Sequence, residues 1–355
     1  MTEEILYIHN PQEVLIYSGL QGSGKTTLVQ QWLCEAPDER ERINYDDLRL
    51  ALFGPSWKWN RRDEEKMKQV ATKRAAEALH LGKSIAIDNT NLTDGARRKW
   101  FDLAMSFGIQ AEQVEVDTTV ATCVERDSKR EGRARVGRAL IERNALFHGF
   151  IDWADAAQYS RDFIIVDMDG TLADCSLRRT YLDIPCPYTS CQNPACKTKG
   201  TGLSLYEPHP TFELDESSKC TTCGCKMPWK RKDHKKFYEG VENDPPIQPI
   251  LKLVAFLHDI YDIIIVSGRP LDLAGRGTEE WLEKNLRDGW VGALPIKHLF
   301  MRNQGDFRPD FEVKQEILDL LPKDRIKYVL DDRDQVVEMW RRNGLTCLQV
   351  ADGKF

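Results

Sequence analysis

The chain has 355 residues, 41% of them hydrophobic and 30% charged, with a formal net charge of −6. That length exceeds one ordinary core and fits two domains, and the balance describes a soluble globular protein rather than a disordered or membrane one. A net negative charge argues against generic coating of DNA, so any nucleic-acid contact is expected at local basic patches.

In chain order, the first stretch, MTEEILYIHN, lacks the basic-then-apolar order of a signal peptide, and no apolar run reaches membrane-span length. A cytoplasmic protein without a membrane partner is the expectation, in a host cell if the gene is phage-borne. EVLIYSG (13–19) predicts a strand, and TTLVQQWLCEA after it a helix with Leu28, Trp32 and Leu33 at helical spacing. Further strands are expected at SIAID (84–88) and QVEVDT (113–118), with charged helices at 63–80 and 94–107. Strands alternating with helices imply a parallel α/β sheet. Residues 121–147 read as one basic helical stretch, with seven Lys/Arg against four Asp/Glu between Glu125 and Arg143.

GFIDWADAAQYS then connects to a second strand–helix series, which places a boundary near 150–161 and predicts domains at 1–155 and 161–355. Its strands are DFIIV (162–166), DIIIVSG (262–268), HLFMR (298–302), IKYVLDD (326–332) and TCLQVA (346–351). The fold class is therefore α/β, two Rossmann-like parallel-sheet domains. Residues 179–240 interrupt the second series with Cys, Pro, Gly and Lys and read as an inserted module.

Six of the ten cysteines fall between Cys186 and Cys225, and without a secretion signal such a cluster reads as a metal site rather than disulfides. Cys191, Cys196, Cys220 and Cys223 suit one structural Zn²⁺ of ribbon type, with Cys186 and Cys225 as spares and His209 and His234 as lesser candidates. Cys34, Cys123, Cys175 and Cys347 are scattered and expected as small buried hydrophobes.

GLQGSGKT fits the G-x-x-x-x-G-K-[ST] pattern between a strand and a helix. Glycines let backbone N–H groups wrap phosphates, and the helix N-terminus favours their charge. The residues concerned are Gly19, Gly22, Ser23, Gly24, Lys25 and Thr26: Lys25 reaches the β/γ oxygens of ATP and Thr26 holds Mg²⁺. INYDDLR (43–49) offers Asp46 as a base for an attacking hydroxyl and Arg49 as a clamp on an acceptor phosphate; Asp46 and Asp47 could equally be a helix cap. Arg126 and Arg130, four apart, are expected on one helix face, a lid over the transferring phosphoryl group.

The second series begins with FIIVDMDGTLAD, an apolar strand that runs into two carboxylates. Residues i and i+2 of a strand point the same way, so Asp167 and Asp169 are expected to face one pocket at the carboxyl end of the sheet. One can attack phosphorus while the other protonates the leaving oxygen. VSGR adds Ser267 and Arg269, VLDDR adds Asp331 and Asp332, and Lys314 is placed at the opening of the helix VKQEILDLL. With Asp167 and Asp169, Asp331 and Asp332 form the expected Mg²⁺ set.

DMDGT, VSGR, Lys314 and LDDR in this order resemble the haloacid-dehalogenase-type phosphatases. Joined to GLQGSGKT, the whole chain outside the insert resembles the phage-type bifunctional polynucleotide 5′-kinase/3′-phosphatases, most closely in INYDDLR, RDSKR, NQGDFRPDFEVK and LDDRDQVVEMWRRNGLTCLQVADGKF. The resemblance implies Asp46 as general base on a 5′-hydroxyl, Arg49 on the adjacent phosphate, and Arg126 and Arg130 acting from the lid. It implies Asp167 as nucleophile and Asp169 as acid/base, with Ser267 and Lys314 holding phosphate and Arg178, Arg269 and Asp310 at further active-site positions. In AIDNTNLT, Asp88 and Asn89 stand where the phage pattern has a single Asp, and the acceptor contact falls on either.

The implied activity is end healing: phosphorylating 5′-hydroxyl ends of RNA or DNA and removing 3′-phosphate or 2′,3′-cyclic phosphate ends. Its implied partners are nucleic-acid ends, a ligase acting downstream and a second copy in a homo-oligomer. The rivals are a small-metabolite kinase fused to a sugar-phosphate phosphatase, which needs neither RDSKREGRAR nor Arg49, and a zinc-dependent nucleic-acid-binding adaptor, which conflicts with intact motifs in both domains.

Overall fold

The computed structural model describes residues 12–182, 184–185, 230–231, 233–287 and 294–353. The chain divides into two units, Met1–Ala154 and Asp155–Phe355.

In the first unit the chain runs β1 (Val14–Ser18), α1 (Lys25–Glu35), β2 (Arg40–Ile43), α2 (Tyr45–Phe53), α3 (Arg61–His80), β3 (Ser84–Asp88), α4 (Asp94–Ser106), β4 (Ala111–Glu115), α5 (Val120–Ser128) and α6 (Arg138–Phe147). The sheet order is β2-β3-β1-β4, all parallel. Because β1 lies beside β3, with Tyr17 opposite Asp88, the loop after β1 and the end of β3 share the carboxyl edge. Helices close over the sheet through apolar stripes: Met67, Ala71, Ala75 and Ala78 of α3 and Trp100 and Ala104 of α4 join Val14, Ile16, Ile43, Ile85 and Ile87 in one buried cluster. The small alanines let α3 approach the strands closely, and burying this set supplies most of the folding drive.

Three expectations change here. β2 was not foreseen, because Arg-Glu-Arg-Ile carries one buried residue, Ile43, and no alternation of apolar side chains. β4 starts at Ala111, two residues before the expected strand, and ends at Glu115. The basic stretch 121–147 is two helices, α5 and α6, with a 3₁₀ turn at Gly132–Ala134 between them. Buried Asp127 ends α5: its Oδ1 and Oδ2 accept from the backbone N–H of Val136 and Gly137, drawing the chain back on itself.

The second unit continues with β5 (Phe163–Val166), α7 (Ser176–Arg179), the two-residue strands β6 (Ile184–Pro185) and β7 (Lys230–Arg231), α8 (His234–Tyr238), α9 (Gln248–His258), β8 (Asp262–Pro270), α10 (Leu271–Leu282), β9 (Ile296–Arg302), α11 (Asp310–Leu318), β10 (Ile326–Asp331), α12 (Asp334–Arg342) and β11 (Cys347–Gln349). Its main sheet has the order β11-β10-β5-β8-β9, again all parallel, while β6 and β7 pair antiparallel. All four residues of β5 are buried, as a central strand covered on both faces requires. From β5 the chain goes one way to β8 and β9 and the other way to β10 and β11, so the switch point lies between β5 and β10, where open α/β sheets bind ligands at the carboxyl edge.

Lys314 sits within α11, four residues after its first residue, rather than opening the helix. Of the predicted insert, the described ends are helical: α7 with a 3₁₀ turn at Thr180–Leu182, and α8. The six clustered cysteines, Cys191, Cys196, Cys220 and Cys223 among them, and His209 lie outside the described residues. Among the described residues no helix is long and apolar enough to cross a membrane.

Candidate active sites

The loop Gly19–Gly24 leads from β1 straight into α1. Gly22 has φ 83, and a Cβ there would stand 2.5 Å from the carbonyl oxygen of Cys123, so only glycine admits this turn against α5. Lys25 is folded back into the loop: its Nζ donates to the carbonyls of Gly19 (2.9 Å) and Leu20 (2.6 Å) and to Ser23 Oγ (3.3 Å). Burial lowers its pKa to about 8, because neutral carbonyls compensate an ammonium only in part, despite Asp88 nearby.

Thr26 Oγ1 donates to Asp88 Oδ1 (3.3 Å), and Arg42 from β2 pairs with Asp88 Oδ2 (2.7 Å). A hydroxyl and a carboxylate meeting at the phosphate loop fit a Mg²⁺ bound with nucleotide. Asp88 and Asn89 therefore part company. Asp88 faces Thr26, whereas Asn89 Oδ1 accepts from the backbone N–H of Tyr45 at the start of α2.

The helix cap of α2 is neither Asp46 nor Asp47 but Asn44, whose Oδ1 accepts from both of their backbone N–H groups. This leaves the Asp46 carboxylate free of capping; it is 87% exposed and bound to Arg49 Nη1 at 2.6 Å. Arg49 is held from its other side by Glu64 of α3, at 3.0 and 2.7 Å.

Arg126 Nη1 donates to the loop carbonyls of Gly22 (3.3 Å) and Ser23 (3.1 Å). Arg130 lies beyond the end of α5, so the two arginines do not share a helix face; its Nη1 is 3.6 Å from Asp127 and 3.5 Å from the carbonyl of Ala134. Sequence reasoning missed Arg42 and Glu64, because a charged residue on an unforeseen strand and one glutamate in a charged helix carry no motif.

In the second unit β5 stops at Val166, so Asp167 and Asp169 follow the strand and are held by different partners. Asp167 Oδ1 is 2.8 Å from Lys314 Nζ, which also holds Asp331 Oδ2 at 2.8 Å and lies 4.0 Å from Asp310. Asp167, Asp331 and Asp332, all buried, bring carboxylate oxygens within 4.8 Å of one another, the one such group among the described residues.

Burial raises the Asp167 pKa well above the ordinary carboxylate range, and Asp331 and Asp332 add to the rise against the pull of Lys314. Burial and then Asp331 push Asp332 up to about 6. Burial alone would lower the Lys314 pKa, but Asp167 and Asp331 outweigh it and hold this ammonium charged. Asp332 Oδ2 is buried with no hydrogen-bond donor, and Thr171 serves only Oδ1. An excess of buried carboxylate charge around one lysine, with an orphaned oxygen, fits a hard divalent cation such as Mg²⁺.

Asp169, expected among the Mg²⁺ ligands, is not part of this group. Its Oδ1 accepts from Arg178 Nη2 (2.8 Å) and Arg269 Nη2 (2.6 Å). Burial works to raise its pKa, but Arg269 and then Arg178 prevail and bring it to about 2.

Asp310 opens α11 and is bound by Arg302 (3.0 Å) and Arg333 (3.2 Å). Ser267 is buried at the end of β8, its Oγ accepting from the backbone N–H of Arg269 at 3.3 Å. A Cβ on Gly268 would stand 1.9 Å from Asp310 Oδ1 and push that carboxylate from its place beside Arg302 and Arg333. Residues not foreseen are Asp244, which grips both Arg178 and Arg269, and Trp340, whose Nε1 donates to Asp331 at 3.1 Å. Both act through other side chains, and a lone Asp before two prolines or a Trp in an amphipathic helix gives no signal of that.

Two all-parallel α/β sheets, the first carrying a glycine-rich loop before a helix and the second a buried carboxylate cluster, are consistent with a P-loop kinase unit followed by a unit of haloacid-dehalogenase type. Residues 14–145 match the family model of the AAA domain, and residues 229–355 match that of the polynucleotide kinase PNKP phosphatase domain. The chain is 21% identical over 350 residues to the putative bifunctional polynucleotide kinase/RNA ligase of Autographa californica nuclear polyhedrosis virus, covering 93% of this chain and 41% of that protein. It is 32% identical over 108 residues to the bifunctional polynucleotide phosphatase/kinase of Schizosaccharomyces pombe (strain 972 / ATCC 24843), covering 30% of this chain and 22% of that one. The chain thus spans less than half the length of these curated relatives. Among solved structures, a chain of the Pnkp1/Rnl/Hen1 RNA repair complex is similar at 21% identity over 99% of both chains, with a TM-score of 0.35. The resemblance to bifunctional polynucleotide kinase/phosphatases read from the motifs is borne out by the family matches.

Proposed function

We propose that the chain heals broken RNA or DNA ends, phosphorylating 5′-hydroxyls with its first unit and removing 3′-phosphates or 2′,3′-cyclic phosphates with its second. The observation that carries this reading is the joining, in one chain, of a phosphate-cradling loop to a buried cluster of Asp167, Asp331 and Asp332 around Lys314, of which Lys314, Asp331 and Asp332 lie in the stretch 229–355 that matches the PNKP phosphatase domain.

In the first unit Asp46 takes the proton from the 5′-hydroxyl as that oxygen attacks the γ-phosphorus of ATP, and the bond to the bridging oxygen breaks to release ADP. Lys25, which needs to swing only from its own loop carbonyls, and Arg126 and Arg130 neutralise the charge on the transferring group. Arg49, anchored by Glu64, holds the acceptor's neighbouring phosphate. Bound at Thr26 and Asp88, Mg²⁺ would supply charge neutralisation on the phosphates.

In the second unit Asp167 attacks the 3′-phosphate phosphorus, the bond to O3′ breaks, and the proton that the phosphate monoanion brings in passes through Asp169, itself ionised before substrate binds, to O3′. Water then attacks the phosphoaspartate, gives its proton back to Asp169, and releases phosphate. Ser267 and Lys314 hold the phosphate oxygens, while Arg178 and Arg269 hold Asp169, and Asp310 stands beside Lys314. A Mg²⁺ held by Asp167, Asp331 and Asp332 would offset their mutual repulsion and keep Asp167 ionised.

A nucleic-acid ligase is the class of enzyme that consumes the product, and a homo-oligomer follows from the motif resemblance alone. The zinc assignment to Cys191, Cys196, Cys220 and Cys223 likewise rests on their spacing. The decisive experiment supplies γ-labelled ATP with a 5′-hydroxyl oligonucleotide, a nucleoside and a sugar, alongside a 3′-phosphorylated oligonucleotide. Label on the oligonucleotide and release of its 3′-phosphate are expected; label on the nucleoside or sugar alone would replace the reading with a metabolite kinase.

A further inference from the structure

Asp244 stands behind the phosphatase site on a short strap of chain. The backbone N–H of Asp174 donates to the Pro245 carbonyl (2.8 Å) and that of Ile247 to the Leu172 carbonyl (2.8 Å), so the strap lies against the chain that follows Asp167 and Asp169. The indole of buried Trp281 in α10 donates to the Asp244 carbonyl at 2.7 Å. The Asp244 backbone is therefore fixed from two sides, and its buried side chain turns to two arginines.

Arg178 from α7 meets Asp244 as a fork: Nε to Oδ1 at 2.6 Å and Nη2 to Oδ2 at 2.5 Å, while Nη1 donates to the Phe237 carbonyl. Arg269 from β8 places Nη2 3.1 Å from Asp244 Oδ2 and Nη1 3.1 Å from Thr278 Oγ1. The same two Nη2 groups converge on one oxygen of Asp169, Oδ1, at 2.8 and 2.6 Å. Two carboxylates and two guanidiniums alternate around a closed square. Among the described residues no hydrogen bond reaches the other oxygen, Asp169 Oδ2, although the Asp169 side chain is 22% exposed. The square pins one oxygen and presents the second to the open side of the site.

We infer that Asp244 is a positioning residue for the phosphatase reaction: it sets the two guanidiniums that orient Asp169, so that Asp169 Oδ2 is aimed at the leaving oxygen. This rests on the reading of Asp169 as proton donor. Arginines that must hold a neighbour in one orientation need their own orientation set, and bidentate carboxylate contacts do that better than any neutral partner. Asp244 touches no reacting atom; its effect passes through Arg178 and Arg269.

A positioning role makes its effect depend on the leaving group. An alkoxide leaving from a 3′-phosphate needs a proton, whereas the p-nitrophenolate of p-nitrophenyl phosphate departs without one. Asp244→Asn keeps the shape of the side chain and removes the charge that holds both guanidiniums. On a 3′-phosphorylated oligonucleotide its kcat should fall by about 100-fold or more with KM nearly unchanged, the size of a lost general acid. On p-nitrophenyl phosphate kcat should change by less than about threefold. In an Asp169→Asn background the same substitution should cost nothing further on the oligonucleotide, since groups acting as a unit are not additive.

Equal losses on the two substrates, or a full additional loss in the Asp169→Asn background, would overturn the proposal. So would an unchanged rate on both. Should Asp244→Asn fail to fold, Asp244→Glu keeps the charge one methylene out of place and must show the same contrast at smaller amplitude. Failure of the unsubstituted protein to hydrolyse either substrate would refute the phosphatase reading itself, a result distinct from any of these.

Discussion

Two buried lysines show how differently the two units handle phosphate. Lys25 lies among backbone carbonyls of its own loop, and burial lowers its pKa to about 8. Lys314 lies between Asp167 and Asp331, and there the carboxylates outweigh burial and hold the proton on. The first unit builds its phosphate loop from main-chain dipoles and leaves Asp46 near solvent. The second stores a net of buried charges, in which Asp167 and Asp331 are held by Lys314 and Asp169 by Arg178 and Arg269. A loop that receives a highly charged nucleotide needs a cation that only neutral groups hold and that can change partners; a nucleophile that attacks a phosphate must have its own charge held ready in place.

The sharpest way to break this comparison is to remove one centre from each unit. Asp167→Asn should abolish 3′-phosphate release by about 10⁴-fold or more and spare transfer from ATP, and Lys25→Ala should do the reverse. Loss of both activities in either variant, with circular dichroism unchanged, would mean the sites are not independent.

Asp46→Asn should lower the kinase kcat by about 10²- to 10⁴-fold while ATP affinity, measured by equilibrium titration, stays put, since a general base acts in the transition state. A comparable loss of ATP affinity would instead place Asp46 in the nucleotide pocket.

The lysines themselves can be compared by stability. In metal-free buffer at pH 7, Lys314→Met leaves Asp167 and Asp331 buried without their cation and should cost about 3–5 kcal/mol in urea denaturation. Lys25→Met removes an ammonium held only by neutral groups and should cost about 1 kcal/mol or less. Similar costs at the two positions would erase the distinction.

The smallest effect expected is one of pH. Without nucleotide Lys25 is charged below about pH 8, so ATP affinity should be flat below that value and fall by up to about tenfold per unit above it. The sign for stability is opposite. The unfolded lysine, at 10.5, binds its proton more tightly than the folded one, so the folded chain bears a cost at neutral pH that fades as pH rises from about 8 to 10.5. ATP affinity that rises with pH over this window would show that Lys25 is not the group engaging the phosphates.

How much of this was legible depends on whether a feature is local. GLQGSGKT, DMDGT, VSGR and LDDR each place several chemical groups within a few residues; Asp167, Ser267 and Asp331 lie at or near the carboxyl ends of strands that periodicity marks, and Lys25 opens the helix that follows β1. β2 was illegible because a strand with one buried side chain has no pattern, and its pairing with β3 supplies what its own residues do not. The basic helical stretch expected over 121–147 divides where Asp127 accepts from the backbone N–H groups of Val136 and Gly137, a contact that propensity does not encode.

By itself the sequence determined the class of each unit, the loop that receives phosphate and the order of the phosphatase motifs, because backbone geometry ties those groups together over a few residues. Only the tertiary structure decided which charge answers which: that Asp88 rather than Asn89 meets Thr26, that the Asp169 side chain meets Arg178 and Arg269 rather than joining Asp167, Asp331 and Asp332, and that Asp244 closes the square around it. Coulomb pairing over 3 Å is a property of positions in space, and residues 100 apart in the chain, such as Asp169 and Arg269, become partners only when parallel strands bring them to one edge.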